Sequence, residues 1–195
     1  MYLGLTLVRF GRFDEIDEMG DRPAGEISAG IWDFAHGYAE LRAGNAQAAQ
    51  RNLDRVLRTA ESSKAVFKFH SAKTLLGTLG GVLEGEIHRS TGDLGAAVAA
   101  FERAVSFDDS IIIDDPEPLP FPARHWLGAA LLEAKRFADA ERVYRSDLGR
   151  HPHNGWSLLG LQLALKGQGR PSRAVDDDLR ASWARSDTPI RASRF

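Results

Sequence analysis

The chain has 195 residues, 43% hydrophobic and 27% charged, with a net charge of −2 and no cysteine. That length supports a sizeable core. The near-neutral charge supplies no basic field for nucleic acid or an anionic membrane, and the missing thiols exclude disulfides, thiol catalysis and thiolate metal sites.

The opening MYLGLTLVRFGRF contains an apolar run, but no basic residue precedes it and no small-residue cleavage site follows, so it does not read as a signal peptide. No apolar stretch approaches the roughly 20 residues that span a bilayer. A cytoplasmic location is expected.

Along the chain one pattern recurs in five registers. The first has Leu3-Gly4-x2-Leu7, a turn at Gly11, and Ile16. In this register Met1 falls at the fifth position of a helix, with no capping residue ahead of it. Tyr2, Leu3, Leu5, Leu7, Val8, Phe10 and Phe13 crowd this repeat, more apolar side chains than one neighbouring repeat covers. The chain is therefore expected to be the C-terminal part of a longer array, with self-association through its N-terminal repeat. The second register has Gly37, a turn at Gly44, then Ala49 and Leu53, and the third has Gly85, a turn at Gly92, then Ala97, Phe101 and Ala104. Extra residues near Ser62–Ser71 are expected to lengthen the flanking helices.

The fourth register is the clearest. Leu127-Gly128, Leu131, Ala140, Tyr144 and Pro152 fall at the offsets of the 34-residue tetratricopeptide (TPR) helix–turn–helix repeat, with Lys135-Arg136 at the turn. Glycine and alanine suit a close crossing of two helices, tyrosine fills the space beside them, and proline stops the second helix. The fifth register follows with a turn at Gly169 and Ala174 in step. Ala97, Ala140 and Ala174 are expected to be buried at helix crossings.

The predicted fold is all-α, a right-handed superhelical array of antiparallel helix pairs (a TPR-like α-α superhelix) with about ten helices. It is expected to form a single domain over 1–195, with repeats near 1–27, 28–63, 64–107, 121–152 and 154–186, an acidic and proline-rich connector at 108–120, and a tail at 187–195. In the connector, DDSIIIDDPEPLPFP, prolines disfavour helix and Pro122 is placed to open the next one. The connector reads as a solvated spacer whose isoleucines pack on adjacent helix ends. A ligand-contacting loop is the competing reading. A divalent-cation site is disfavoured because the carboxylates lack the ordered spacing of a calcium loop.

From Val8 onward the residues resemble a group of bacterial TPR proteins whose biochemistry is unassigned. The resemblance rests on LVRFGRFDEI, WDFAHGYAELRAGN, the acidic-then-proline connector before ARHWLGAALLEAKRFADAERVYRSDL, HPHNGWSLLGLQLAL, and the terminal SWARSDTPIRASRF. In that group these features form the C-terminal portion of a longer protein. Where its members carry an aromatic-rich segment after the prolines, this chain has Phe121-Pro122-Ala123. The resemblance implies a scaffold or binding module.

Motifs for chemistry are scarce. There is no phosphate loop, and GTLGG at Gly77–Gly81 lies in helical register. No serine sits in a nucleophile elbow, and no H-E-x-x-H occurs. His151 and His153 flank a proline at a helix boundary and read as solvated turn residues, with adventitious metal binding as the alternative. Asp176, Asp177 and Asp178 point about 100° apart on a helix and read as a solvated face. No catalytic residue, metal or cofactor is predicted, and the chain is not expected to be an enzyme.

The concave face of such arrays is built from the first helix of each pair. In register it offers Ile31, Phe34, Tyr38, Leu41 and Arg42; Leu79, Val82, Glu86 and Arg89; His125, Ala129 and Glu133; and Trp156, Leu159, Leu163 and Lys166. Phe34, Tyr38, Arg42, Glu86, Arg89, His125 and Trp156 are the candidate partner-binding residues, since aromatic and arginine side chains anchor interfaces. Phe34 and Trp156 suit the core equally well. The expected function is a non-catalytic protein–protein interaction or scaffold module that holds a protein or peptide segment in the concave groove. The alternative is an accessory domain of a larger enzyme, or a small-molecule-binding protein using His125, Glu86 and Arg89.

Overall fold

The computed structural model describes residues 2–111, 115–187 and 190–194. The chain divides into two compact units, one running to Ala123 and the other spanning Arg124–Arg194. The first contains α1 (Tyr2–Arg9), a 3₁₀ helix (Phe13–Met19), α2 (Glu26–Arg42), α3 (Ala46–Ser62), β1 (Val66–Phe67), β2 (His70–Ser71), α4 (Ala72–Ser90) and α5 (Leu94–Asp108). The second contains α6 (Arg124–Glu133), α7 (Phe137–Arg150), α8 (Gly155–Gly167) and α9 (Arg173–Ser182).

One turn closes every helix pair. Gly11, Gly44, Gly92 and Gly169 adopt the left-handed backbone conformation, and Lys135 adopts it at the fourth turn with φ of 57°. At each site the next residue donates its N–H to a carbonyl five positions back. The pairs are Arg12 to Leu7, Asn45 to Glu40, Asp93 to His88, Arg136 to Leu131 and Arg170 to Leu165, at 2.8–3.1 Å. The left-handed residue itself donates three positions back in all five. These paired bonds are the Schellman motif, which satisfies the last carbonyls of a helix and reverses the chain. Glycine enters the left-handed region without Cβ strain, so four of the turns are written in single residues. Three helices open on a side-chain cap: Ser71 accepts from Thr74 N, Asp93 from Ala96 N, and Asn154 from Trp156 N and Ser157 N.

In the first unit, α4 packs against both α3 and α5. Its crossing with α5 is close at Gly85, where an added Cβ would lie 2.3 Å from the Phe101 ring. The GTLGG segment lies buried inside α4. Asp33, fully buried in α2, is held by Arg22 in a bidentate contact at 2.7–3.1 Å and by Arg55 at 2.7 Å. Two cations and the hydrogen bonds to both oxygens offset the desolvation of that carboxylate.

The stretch expected to extend two helices is instead an antiparallel ribbon, with Val66 opposite Ser71 and Phe67 opposite His70. Lys68 turns the chain with φ of 53°, and Phe69 at the tip is 78% exposed. Ser71 ends β2 and caps α4, which fixes where the helix begins.

After α5 the connector is anchored at its proline end. Leu119, Phe121 and Ala123 are buried, Phe121 lies 6.4 Å from the Phe34 ring, and Ala123 N donates to Asp108 Oδ2 at 3.0 Å. Asp115 and Glu117 are exposed, and Ile111 is half-buried. Ile112, Ile113 and Asp114 lie outside the described residues. Pro122 is buried two residues ahead of α6, which begins at Arg124 rather than at the proline.

In the second unit the Tyr144 ring passes between α6 and α8 where both carry glycine. A Cβ at Gly128 would lie 2.3 Å from the ring, and one at Gly160 would lie 2.1 Å from it. Ala97 and Ala140 are fully buried, as the spacing required. Ala174 is exposed, and its neighbour Val175 is the buried residue of α9. Among the described residues α9 packs chiefly on α8, and a rotation of one residue exchanges Ala174 for the larger apolar side chain and buries more area.

Candidate functional site

The seven candidate partner-binding residues separate by burial. In α2, Phe34 and Tyr38 are fully buried. Phe34 meets Tyr38 edge to face at 5.9 Å, and Tyr38 stacks on Phe13 at 5.4 Å. Both belong to the aromatic core of the first unit and have no surface to offer a partner. Arg42, at the end of α2, is exposed and lies over the Phe13 ring at 5.4 Å. It lines an open cleft of about 510 Å³ with Phe13, Asp14, Asp17, Glu40 and Asn45. In α4, Glu86 is buried and accepts two hydrogen bonds from Arg89 at 3.0 and 3.1 Å. Arg89 keeps a small outer surface, with its side chain 17% exposed.

The groove pattern breaks because α2 and α4 are covered on more sides than a two-layer repeat implies. Ile31, Leu79 and Val82 are core as well. In α6, His125 and Ala129 are also buried, while Glu133 is exposed.

On α8 the outward stripe stays accessible. Trp156 and Leu159 are half-buried, Leu163 is 36% exposed, and Lys166 is exposed. Their spacing of three, four and three residues places them along one helix face. Trp156 is braced from behind, 6.4 Å from the His125 ring and edge to face with Trp183 at 4.8 Å.

The structure also assembles a buried polar cluster that no motif announced. Asp147 of α7, fully buried, accepts from Ser157 Oγ at 2.5 Å and lies 2.9 Å from His151 Nδ1. His125 Nε2 lies 3.5 Å from Asp147 Oδ2. Burial is the largest single influence on Asp147 and pushes its pKa up. The neighbouring His125 ring, with hydrogen bonds from Ser157 and His151, outweighs it and holds the carboxyl at about 2.

Serine, histidine and aspartate are all present, but the connectivity is not that of a nucleophile. Ser157 donates to the carboxylate, so no imidazole is placed to take its proton, and the hydroxyl has no path to substrate. The cluster ties α6, α7 and α8 together. The readable hint was the Asp147/His151 pair, spaced four residues apart across the end of α7.

Among the described residues no group of three or more His, Asp or Glu side chains could hold a metal ion, and no helix is long and apolar enough to cross a membrane.

No protein-family model matches the chain, and no curated protein matches it. A solved structure titled "MamA AMB-1 P212121" resembles it with a TM-score of 0.51 over 92% of each chain, at 17% sequence identity. At that identity the likeness concerns the fold. That neighbour is TPR-like, and with ten helical elements among the described residues and one two-residue ribbon, this chain has an all-α, TPR-like helical fold.

Proposed function

We propose that the chain is a non-catalytic interaction or scaffold module, cytoplasmic, whose helix pairs act as repeats with the boundaries read from the sequence. It holds a protein segment against the outward stripe of α8. The observation that carries this reading is the stripe itself: Trp156, Leu159 and Leu163 present apolar surface on a rigid helix, and Lys166 ends it with a positive charge. A complementary partner is a segment with apolar side chains and a carboxylate at the Lys166 end. Arg42 and Arg89, the other two candidates with outer surface, are assigned polar contacts of the first unit's own, apart from the α8 stripe.

The test is selection of peptides from a displayed random library on the intact chain, followed by calorimetry. Enriched peptides should bind with micromolar affinity, and Leu163→Asp should weaken them by roughly tenfold or more without lowering the melting temperature. If no peptide is enriched, or Leu163→Asp leaves the affinity unchanged, the reading fails.

Self-association is assigned to the N-terminal end. Leu5, Leu7 and Val8 of α1 are buried, but Leu3 is 58% and Phe10 63% exposed. A second copy covering these two side chains removes that apolar surface from water. Light scattering should show dimer at high concentration for the parent chain and monomer for Leu3→Asp/Phe10→Asp. A strictly monomeric parent chain refutes it.

A further inference from the structure

The first unit carries another cleft, along α4 between α3 and α5. Its volume is about 350 Å³, at the lower end of the range for small-ligand sites. On α4 it is lined by Lys73, Gly77, Gly81 and Glu84, whose spacing of four, four and three makes one stripe about 16 Å long. The two glycines belong to the GTLGG segment. An added Cβ at Gly77 would lie 2.9 Å from the Phe107 ring, and one at Gly81 would lie 2.9 Å from Ala104 Cβ. The glycines therefore let α5 come close and leave the floor of the groove bare of side chains. The walls are apolar, with Leu57 and Ala60 of α3 on one side and Phe107 of α5 on the other. Leu57 is 37% exposed and Phe107 is half-buried, so both turn apolar surface to water.

Charges of opposite sign stand at both ends of this groove, and only one end is satisfied. At the Glu84 end, Arg103 of α5 donates to the carboxylate at 2.7 Å. At the other end are Glu61, in the last turn of α3, and Lys73, in the first turn of α4, brought to one place by the short β1–β2 hairpin. Both are exposed, and among the described residues neither side chain makes an ion pair or hydrogen bond with the other or with a third residue. An open pair of opposite charges at the head of an apolar slot is the complement of an amphipathic zwitterion. A ligand set between them gives each charge a partner, and the walls take its apolar body.

We propose that this groove binds a free α-amino acid with a large apolar side chain, its carboxylate on Lys73, its ammonium on Glu61 and its side chain laid over Gly77 and Gly81 between Leu57 and Phe107. Two unpaired charges at one end call for an ammonium and a carboxylate held close together. The glycine floor lets an aromatic or branched aliphatic side chain rest against the helix backbone. The Glu84–Arg103 pair is already closed, so a further charge at that end of a ligand gains no partner. The exposed head of the site keeps binding weak, with a dissociation constant on the order of 0.1–1 mM. The ligand touches α3, α4 and α5 at once, so occupancy stabilises the first unit. Binding here requires neither the α8 stripe nor Leu3 and Phe10.

The probes are L-phenylalanine, L-leucine and L-methionine, added to the full chain. Glycine, 3-phenylpropionate and L-phenylalaninamide are the analogues that lack the side chain, the ammonium and the carboxylate. By calorimetry at least one of the three amino acids should bind, and each analogue should bind more weakly by roughly tenfold or more. In amide NMR spectra Gly77 and Gly81 should shift on saturation, while Gly128 and Gly160 of the second unit should not. Lys73→Gln and Glu61→Gln replace exposed side chains, so the unliganded melting temperature should stay the same. Each should weaken binding roughly fivefold or more. Absence of binding by all three amino acids at about 10 mM would overturn the site, as would an affinity that either variant leaves unchanged. Shifts confined to residues outside the groove would place the ligand elsewhere and overturn it too. An affinity for 3-phenylpropionate or L-phenylalaninamide equal to that for L-phenylalanine would refute recognition of a zwitterion.

Discussion

Gly160→Ala should destabilise the second unit by about 2–3 kcal/mol, although alanine is the better helix former by about 1 kcal/mol. The added methyl would sit 2.1 Å from Tyr144 Cζ and 2.3 Å from its Cε1. The ring cannot retreat, because the backbone at Gly128 closes in from α6, where a Cβ would already be 2.3 Å away. Either α8 moves outward or the ring leaves its rotamer, and both lose packing. Gly149 in α7 is the control: nothing lies within 4 Å of its Cβ position, so Gly149→Ala should be neutral or stabilising by up to about 1 kcal/mol. Tyr144→Ala should cost about 3–5 kcal/mol. Combined with Gly160→Ala it should cost less than the sum by about 1–3 kcal/mol, because the methyl enters the vacated space. Urea unfolding of the four chains measures this cycle, and additivity within about 0.5 kcal/mol would show that the two residues do not share one packing site.

Asp147→Asn should cost about 3 kcal/mol at neutral pH, the range for removing one partner from a buried charged network. The side chain keeps its size, so the loss comes from Ser157, His125 and His151 facing an amide where they had a carboxylate. The same residue sets an acid limit. Its folded pKa of about 2 lies below the ordinary 3.8, so its ionised form stabilises the fold by about 2 kcal/mol above pH 4. The sign follows from the depressed pKa: this contribution is complete above the unfolded value and disappears as pH falls from about 4 through 2. Unfolding free energies at pH 5, 4, 3 and 2 should therefore fall more steeply for the parent chain than for Asp147→Asn. Parallel pH profiles for the two chains would contradict the assignment of the carboxylate's role.

The helix pairing was legible in the sequence because its determinants are local. Each of the five turns needs one residue in the left-handed region, and Gly11, Gly44, Gly92 and Gly169 announce it within a few contiguous residues. The spacing of Gly128, Ala140 and Tyr144 likewise records a contact between two helices joined by one short turn. What α2, α4 and α6 show to solvent was not legible in the same way. Helical period places Phe34, Tyr38, Glu86 and His125 on a face, but only neighbours distant in sequence decide whether that face is covered; Phe121 of the connector lies beside Phe34 from 87 positions downstream (121 − 34). The one-residue rotation of α9 that buries Val175 and exposes Ala174 has the same origin, since its packing against α8 sets which side chain faces inward. The sequence by itself determined where the chain reverses and which small residues meet at crossings, because both are properties of short segments. Only the tertiary structure decided that Asp147 gathers Ser157 and two histidines, and that Ser193 returns to Tyr144 across 49 positions, because those contacts link residues that no local period relates.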